Sequence, residues 1–252
     1  DCLSVALNQF IDYKLVMTMP DCVPLYYHRL MGDRYLWNSW IRLIGSCDQY
    51  YKNLRMEREY PVKKNITYHF VGDEDKLFFN KINPNADAVF IRHPHYNFVA
   101  GRKIKFSRPQ IKILIAGKYN LYMKSSFDEL LPQLCAAKEL ASYYTITFLG
   151  KGWDFAVEKL SQSGFVSRRL DYVESYSQEI SKYDIQLTPI SIGTGTKGKV
   201  LDALANGLLV IGTSYAVENI AISNNKSCIV YDNVQSLLTI LRDIPNNRGR
   251  YE

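Results

Sequence analysis

The residues best placed to do chemistry lie late in the chain, in Gly193-Thr194-Gly195-Thr196-Lys197-Gly198-Lys199. The run Val200-Leu201-Asp202-Ala203-Leu204-Ala205-Asn206-Gly207 follows at once, and then Leu208-Leu209-Val210-Ile211-Gly212-Thr213. A loop rich in glycine and hydroxyl groups thus opens a short helix, and a fully apolar strand follows. The first backbone N–H groups of a helix have no intrahelical partner and carry the positive end of its dipole. Such a loop is an anion site. It contains two lysines and no acid, so the chemistry it invites is phosphate binding.

Two familiar patterns coincide with this loop, and both fail on context. Gly193, Gly195 and Gly198 spell G-x-G-x-x-G, while Gly193 through Lys199 spell G-x-x-x-x-G-K. A P-loop needs Ser or Thr after the lysine to hold Mg²⁺, and Val200 stands there. A dinucleotide fold needs an acid at the end of the next strand, near Thr213, whereas Glu218 comes beyond that strand. A tight turn with no ligand is the plain alternative. His93 and His95 form an H-x-H, but no third ligand of the right type is near, so no metal is expected. The pair could instead line a cleft or sit in an ordinary proline-rich loop.

The elements that must position the loop read as alternating strands and helices from Ile111 onward. Expected strands are Ile111–Ala116, Thr145–Leu149, Arg168–Val173, Ile185–Ile190, Leu208–Thr213 and Ile229–Tyr231. Expected helices are Ser126–Tyr144 with Ser126 as cap, Trp153–Ser163, Tyr176–Lys182 and Val234–Ile244. Continuously apolar strands alternating with helices mean a parallel sheet covered on both faces, with ligands beyond the strands' carboxyl ends. The earlier part is less regular. It reads as strands at Tyr13–Met19, Ile66–Val71 and Ala88–Ile91 and one long helix over Tyr35–Met56. Asn97–Pro109 is the linker candidate, giving domains 1–107 and 108–252.

Bulk properties narrow the class. The chain has 252 residues, 47% hydrophobic and 22% charged, which describes a globular protein with a sizeable core. Net charge is +6, and the excess sits early: residues 1–110 hold 16 Lys+Arg against 11 Asp+Glu. A solvated face accounts for this, as does attraction to phosphate-bearing substrates or an anionic membrane surface. Five dispersed cysteines without a C-x-x-C argue against a metal knuckle or disulfide framework and fit a reducing cytoplasm. No apolar run is long enough to span a bilayer, and no secretory leader is read at the start. The opening Asp1-Cys2-Leu3 lacks a Met, so a fragment of a longer protein is expected.

The segment from Thr188-Pro189 through the loop and helix to Thr213 resembles the donor-binding half of GT-B glycosyltransferases of the bacterial family 4 kind. Those sequences read G-T-G-T-[RK]-x-K-[VIL]-L-E-A-[LM]-A-x-G-x-P-V-[VI]-x-T. Ala216-Val217-Glu218-Asn219-Ile220 looks like a reduced copy of the G-x-E-G turn that follows. The order of elements agrees across 108–245.

The resemblance implies a Rossmann-like parallel-sheet α/β domain of GT-B type, with a second, partial α/β acceptor domain. It implies a metal-independent hexosyltransferase acting on a UDP- or GDP-linked sugar with no other cofactor. The acceptor would be a glycan or lipid-linked molecule, as in bacterial cell-surface polysaccharide synthesis, with no nucleic-acid partner. The setting would be cytoplasmic, with peripheral association at the inner membrane face. Residue by residue, Gly193, Thr194, Gly195 and Thr196 form the donor loop, and Lys197 and Lys199 neutralise the diphosphate. Asp202 replaces the family's ribose-binding Glu. Lys118 and Lys124 match basic positions after the first strand, with a spacing one residue longer. Tyr172 and Val173 adjoin the base, and Glu218 belongs to the later turn. The chain departs from the family's E-x₇-E, because Thr194 stands where the first Glu contacts the donor sugar. That departure favours an alternative, a non-catalytic nucleotide-binding module, and leaves the stereochemical outcome open.

Overall fold

The computed structural model describes residues 13–93, 103–220, 224 and 226–252. His95 and the first part of the linker candidate, residues 97–102, lie outside the described residues. The chain divides into two compact units. One gathers residues up to 94 with 192–196 and 218–220, and the other gathers 95–191, 197–217 and 221–252.

The larger unit holds a six-stranded sheet. Its strands are β4 (Ile111–Ala116), β5 (Tyr144–Leu149), β6 (Val166–Leu170), β7 (Ile185–Thr188), β8 (Leu209–Gly212) and β9 (Ile229–Val230). They run parallel in the order β6-β5-β4-β7-β8-β9. The chain therefore builds outward from β4 to β6, returns to the other side of β4 and builds outward again. The order reverses between β4 and β7, which is where open α/β sheets form a ligand crevice. β7 and β8 are buried throughout, as expected of strands covered on both faces.

Helices α5 (Leu121–Ala136), α6 (Asp154–Gln162), α7 (Tyr176–Ile180), α8 (Gly198–Ala205), α9 (Ser214–Val217) and α10 (Val234–Asp243) complete this unit. Met123, Phe127, Leu130 and Leu134 of α5 and Leu237, Leu238 and Leu241 of α10 share one core with the strands. Trp153 is fully buried against Phe148 and Phe127, with ring centroids 4.8 Å apart in each case.

The smaller unit has three parallel strands, β1 (Leu15–Met19), β2 (Ile66–Phe70) and β3 (Asp87–Phe90), in sequential order. Helices α1 (Val23–Met31), α2 (Arg34–Trp37) and α3 (Trp40–Arg58) lie between β1 and β2, and α4 (Asp73–Ile82) lies between β2 and β3. Its core is aromatic: Tyr60 stacks on Tyr68 at 5.7 Å, and Phe79 meets Tyr68 and Phe70 at 5.2 and 5.0 Å.

Several element boundaries differ from the sequence reading. The helix expected over Ser126–Tyr144 starts at Leu121, because Asn120 is the cap and its side chain accepts from the Tyr122 amide at 3.2 Å. It ends at Ala136, and a separate 3₁₀ turn covers Lys138–Ser142. The helix expected over Tyr35–Met56 is broken at Ser39, whose backbone is extended. The strand expected at Arg168–Val173 starts two residues earlier and ends at Leu170, which leaves Tyr172 and Val173 in the following turn. Helices α1 and α4 were not expected. Pro24 in the first turn of α1 and the run Asp73-Glu74-Asp75 opening α4 were their legible signals.

Candidate functional site

In the larger unit the site is built around the start of α8. Its N-terminal flank, Lys197, has an extended backbone and makes no side-chain cap, so no side chain at the flank occupies the positive end of the helix. The helix buries Val200 and Ala203. It stops in a Schellman turn, where Gly207, at φ +67°, donates to Leu204 O at 3.1 Å and Leu208 donates to Ala203 O at 3.0 Å. Both ends are thus fixed by the sequence that suggested the helix.

Lys199 points to the sheet's reversal point. Its Nζ donates to the carbonyl of Ala116, the last residue of β4, at 3.0 Å. Its own carbonyl accepts from Gln186 Nε2 of β7 at 2.9 Å. Among the described residues the ammonium has no ion pair. Burial holds its pKa below the usual lysine value, and the neighbouring Lys197 charge lowers it further. A half-buried cation supported by one carbonyl, beside a second cation, lacks the counter-charge that its desolvation calls for.

Gly117 makes this approach possible. Its φ is +120°, and a Cβ there would stand 2.5 Å from Lys199 Nζ. Its carbonyl accepts from Trp153 Nε1 at 2.7 Å, so a core indole pins the turn. Lys118 follows directly and is exposed. Lys124 lies on α5 and is engaged locally. It forms an ion pair with Asp128 at 3.3 Å and donates to Tyr119 Oη at 2.8 Å.

Asp202 is half-buried on α8. Tyr176, the first residue of α7, has a buried hydroxyl without a hydrogen-bond partner among the described residues. Burial raises the Tyr176 pKa, and the negative charge of Asp202 raises it further. Tyr172 is 80% exposed, and Val173 is half-buried. In this unit the structure therefore brings Lys118 and Lys199 to one strand end and sets Tyr176 within the influence of the Asp202 charge. It commits Lys124 to Asp128.

In the smaller unit the loop Gly193–Thr196 is tied down through its backbone and one hydroxyl. Gly193, at φ +154°, accepts from Arg29 Nη1 at 2.6 Å. The Gly195 amide donates to Asp75 Oδ2 at 2.8 Å, and its carbonyl accepts from Asn219 Nδ2 at 3.0 Å. Thr196 Oγ1 donates to Val71 O at 2.6 Å. Gly195 also needs its missing side chain, because a Cβ would stand 2.3 Å from Asp21 Oδ1. Glu218 takes both Arg29 guanidinium nitrogens, at 2.7 and 2.8 Å.

Arg29, Asp75 and Tyr176 were not among the residues singled out in the sequence, and Asn219 was named only within the reduced turn at 216–220. Asp75 offered a signal only for the start of α4. Among the described residues no three His, Cys, Asp or Glu side chains group as a metal site.

No family model matches the chain, and no curated protein sequence matches it. Solved structures do match. WaaG, a glycosyltransferase involved in lipopolysaccharide biosynthesis, aligns with a TM-score of 0.64 at 14% identity, over 98% of this chain and 74% of that one. HepE from Anabaena, crystallised with UDP, aligns with 0.64 at 10% identity, over 99% and 67%. The fold is that of the GT-B glycosyltransferases. TarM aligns with 0.61 at 11% identity, over 79% of this chain. The chain spans about two-fifths of the length of TarM and of the GtfA/B match, at 40% and 42%. In this GT-B chain the six-stranded sheet carries α8 and its lysines.

Proposed function

We propose that this chain binds a nucleotide-diphosphate sugar and transfers the sugar to a glycan or lipid-linked acceptor. The observation that carries the reading is the half-buried Lys199 ammonium, held by Ala116 O and without an ion pair among the described residues, at the sheet's reversal point. A diphosphate supplies the absent counter-charge.

Lys199, Lys197 and the exposed Lys118 then neutralise the diphosphate. As the bond from the sugar's anomeric carbon to the phosphate oxygen breaks, that oxygen takes the electron pair. Cations already in place stabilise the developing charge without reorganising. Asp202 accepts from the ribose hydroxyls, and the unpartnered Tyr176 hydroxyl lies within reach of its field. Tyr172 and Val173 complete the donor set within this unit, and Gly193, Thr194, Gly195, Thr196 and Glu218 join the proposal through the sequence resemblance alone. Lys124 keeps to Asp128 and acts at the rim. The UDP held by HepE and the lipopolysaccharide role of WaaG support this substrate class.

Peripheral membrane association at the cytoplasmic face belongs to the same reading. Trp37, Trp40, Ile41 and Ile44 are 62%, 74%, 85% and 66% exposed around the start of α3, with Arg42 between them. Trp and aliphatic groups beside a basic residue suit a bilayer interface.

A second reading, a binding module without catalysis, draws on Thr194, which leaves the sugar side of the loop without a carboxylate. Calorimetry with UDP, GDP, ATP and NAD, with and without Mg²⁺, tests both. Metal-independent UDP or GDP binding is expected, and binding of Mg·ATP alone would overturn both readings. Donor hydrolysis or sugar transfer then separates enzyme from module.

A further inference from the structure

Two carboxylates in the smaller unit are fully buried, and among the described residues neither has a cationic partner. Asp75 of α4 and Glu57 of α3 are both 0% exposed. Asp75 uses its two oxygens on two amides, accepting from Cys22 N through Oδ1 at 2.8 Å and from Gly195 N through Oδ2 at 2.8 Å. Glu57 accepts from Val23 N at 3.0 Å and from the Cys22 thiol at 3.2 Å. Neither Cys22 nor the residues that open α1 offer a side-chain cap. The two acids therefore cap α1 from other helices, and Asp75 extends the arrangement to the donor loop.

We propose that Asp75 is a positioning residue for the Gly193–Thr196 loop, and that it holds the loop only while ionised. A carboxylate can accept from both amides at once. A carboxylic acid carries a proton on one oxygen, and that oxygen can no longer face an N–H donor squarely. The proton goes to Oδ2. The Oδ1 side meets the positive end of α1, which disfavours a proton there. On the Oδ2 side Asp21 Oδ1 lies against Gly195, and Glu218 adds negative potential. The bond that protonation removes is therefore the one to the loop.

The groups facing Asp75 agree with this. Burial raises its pKa to about 6, opposed by the Cys22 and Gly195 amides and helped by Asp21 and Glu218. Burial raises Glu57 to about 7, with the Cys22 thiol and Val23 amide opposing and Asp75 helping. The Cys22 thiol is pushed up by burial and by Glu57, so it stays protonated and donates. Tyr60, behind Glu57, is raised to about 12 and also stays neutral. Arg29 is spent on Glu218 and Gly193, and on α4 itself Asp73 pairs with Lys76 at 2.8 Å.

The consequence for nucleotide binding rests on the donor-site reading above. The clamp itself does not, so two measurements are paired. The first is amide exchange at Gly195 between pH 5 and 7.5, corrected for the intrinsic rate. Its protection should fall by up to about tenfold at pH 5, the limit for one proton when the pH lies one unit below a pKa of about 6. Asp75→Asn should lower protection at every pH and remove the dependence. Asp21→Asn keeps both amide bonds and should move the midpoint to lower pH, which serves if Asp75→Asn fails to fold. Protection that does not change with pH in the parent protein would overturn the proposal. The second measurement is UDP affinity over the same range, where comparison with Asp75→Asn removes the titration of UDP's own phosphate. Affinity that falls with the protection supports the positioning role. Affinity that ignores a clear loss of protection would show that the loop does not serve the diphosphate, and the role would fall.

Discussion

Trp153 donates its indole N–H to the carbonyl of Gly117 at 2.7 Å, so a fully buried ring sets the backbone on which Lys199 rests. Gly117 holds φ +120° there, with Lys199 Nζ occupying the space of a side chain. Gly117→Ala imposes two penalties. The backbone strain costs about 1–3 kcal/mol. The new methyl also pushes the ammonium off Ala116 O. We expect a lower melting temperature and weaker UDP binding in the folded variant. UDP affinity equal to the parent's would show that the Lys199 position is not fixed by this turn.

Lys199→Ala should separate phosphate from nucleoside recognition. Hydrogen bonds to charged groups contribute about 1.5–3 kcal/mol, which is roughly ten- to a hundredfold in affinity. UDP should lose that much and uridine almost nothing. Equal losses for the two ligands would remove Lys199 from the diphosphate. Its lowered pKa adds a pH signature. The folded state releases this proton more readily than the unfolded chain, so the residue's contribution to stability rises with pH below the usual lysine value. UDP binding should run the other way, weakening with rising pH before an ordinary lysine titrates.

Asp75 and Glu57 give the opposite sign of stability linkage. Their folded values of about 6 and about 7 lie above the ordinary 3.8 and 4.5. The native state therefore binds more protons than the unfolded chain between those limits. Stability from these two groups is fully present below about pH 4 and falls as pH rises to about 7. Urea melts of the parent and of Asp75→Asn with Glu57→Gln, at pH 4.5 and 7.5, check this. The double variant should show a flatter pH dependence, and an unchanged slope would mean that neither acid is raised.

The exposed apolar face around the start of α3 makes a separate prediction. Replacing Trp40 and Ile41, 74% and 85% exposed, by serine should leave the melting temperature almost unchanged. Binding to vesicles containing phosphatidylglycerol should fall severalfold, because the two side chains supply buried apolar area at the interface. Sedimentation of the variant with vesicles at the parent level would dismiss the membrane role.

The larger unit was legible because its strands are continuously apolar and each is followed by a helix within a few residues. Helix α8 was legible for a related reason. Glycines, lysines and the Asn206-Gly207 stop are all local to it, and its Schellman end uses residues only three to five apart. The smaller unit was less so. Nothing near Asp75 in sequence announces that its carboxylate reaches Gly195, 120 residues on. Arg29 and Glu218 meet across a separation of 189. Such pairs exist only once the chain has folded, and a single sequence carries no period or cap for them. The turn containing Tyr172 and Val173 was misplaced for a smaller reason. Strand β6 begins directly after the Gly164-Phe165 turn, and its Val166-Ser167 start lacks the apolar run that marks the other strands.

β1 stands at one edge of the three-stranded sheet, with Val16 64% exposed on it. Its outer row of peptide groups has no strand beside it among the described residues. An open, apolar-flanked edge of this kind templates pairing between molecules. The consequence is practical. Concentrated preparations of this polypeptide should self-associate through that edge, and a lysine at Val16 should keep them monodisperse.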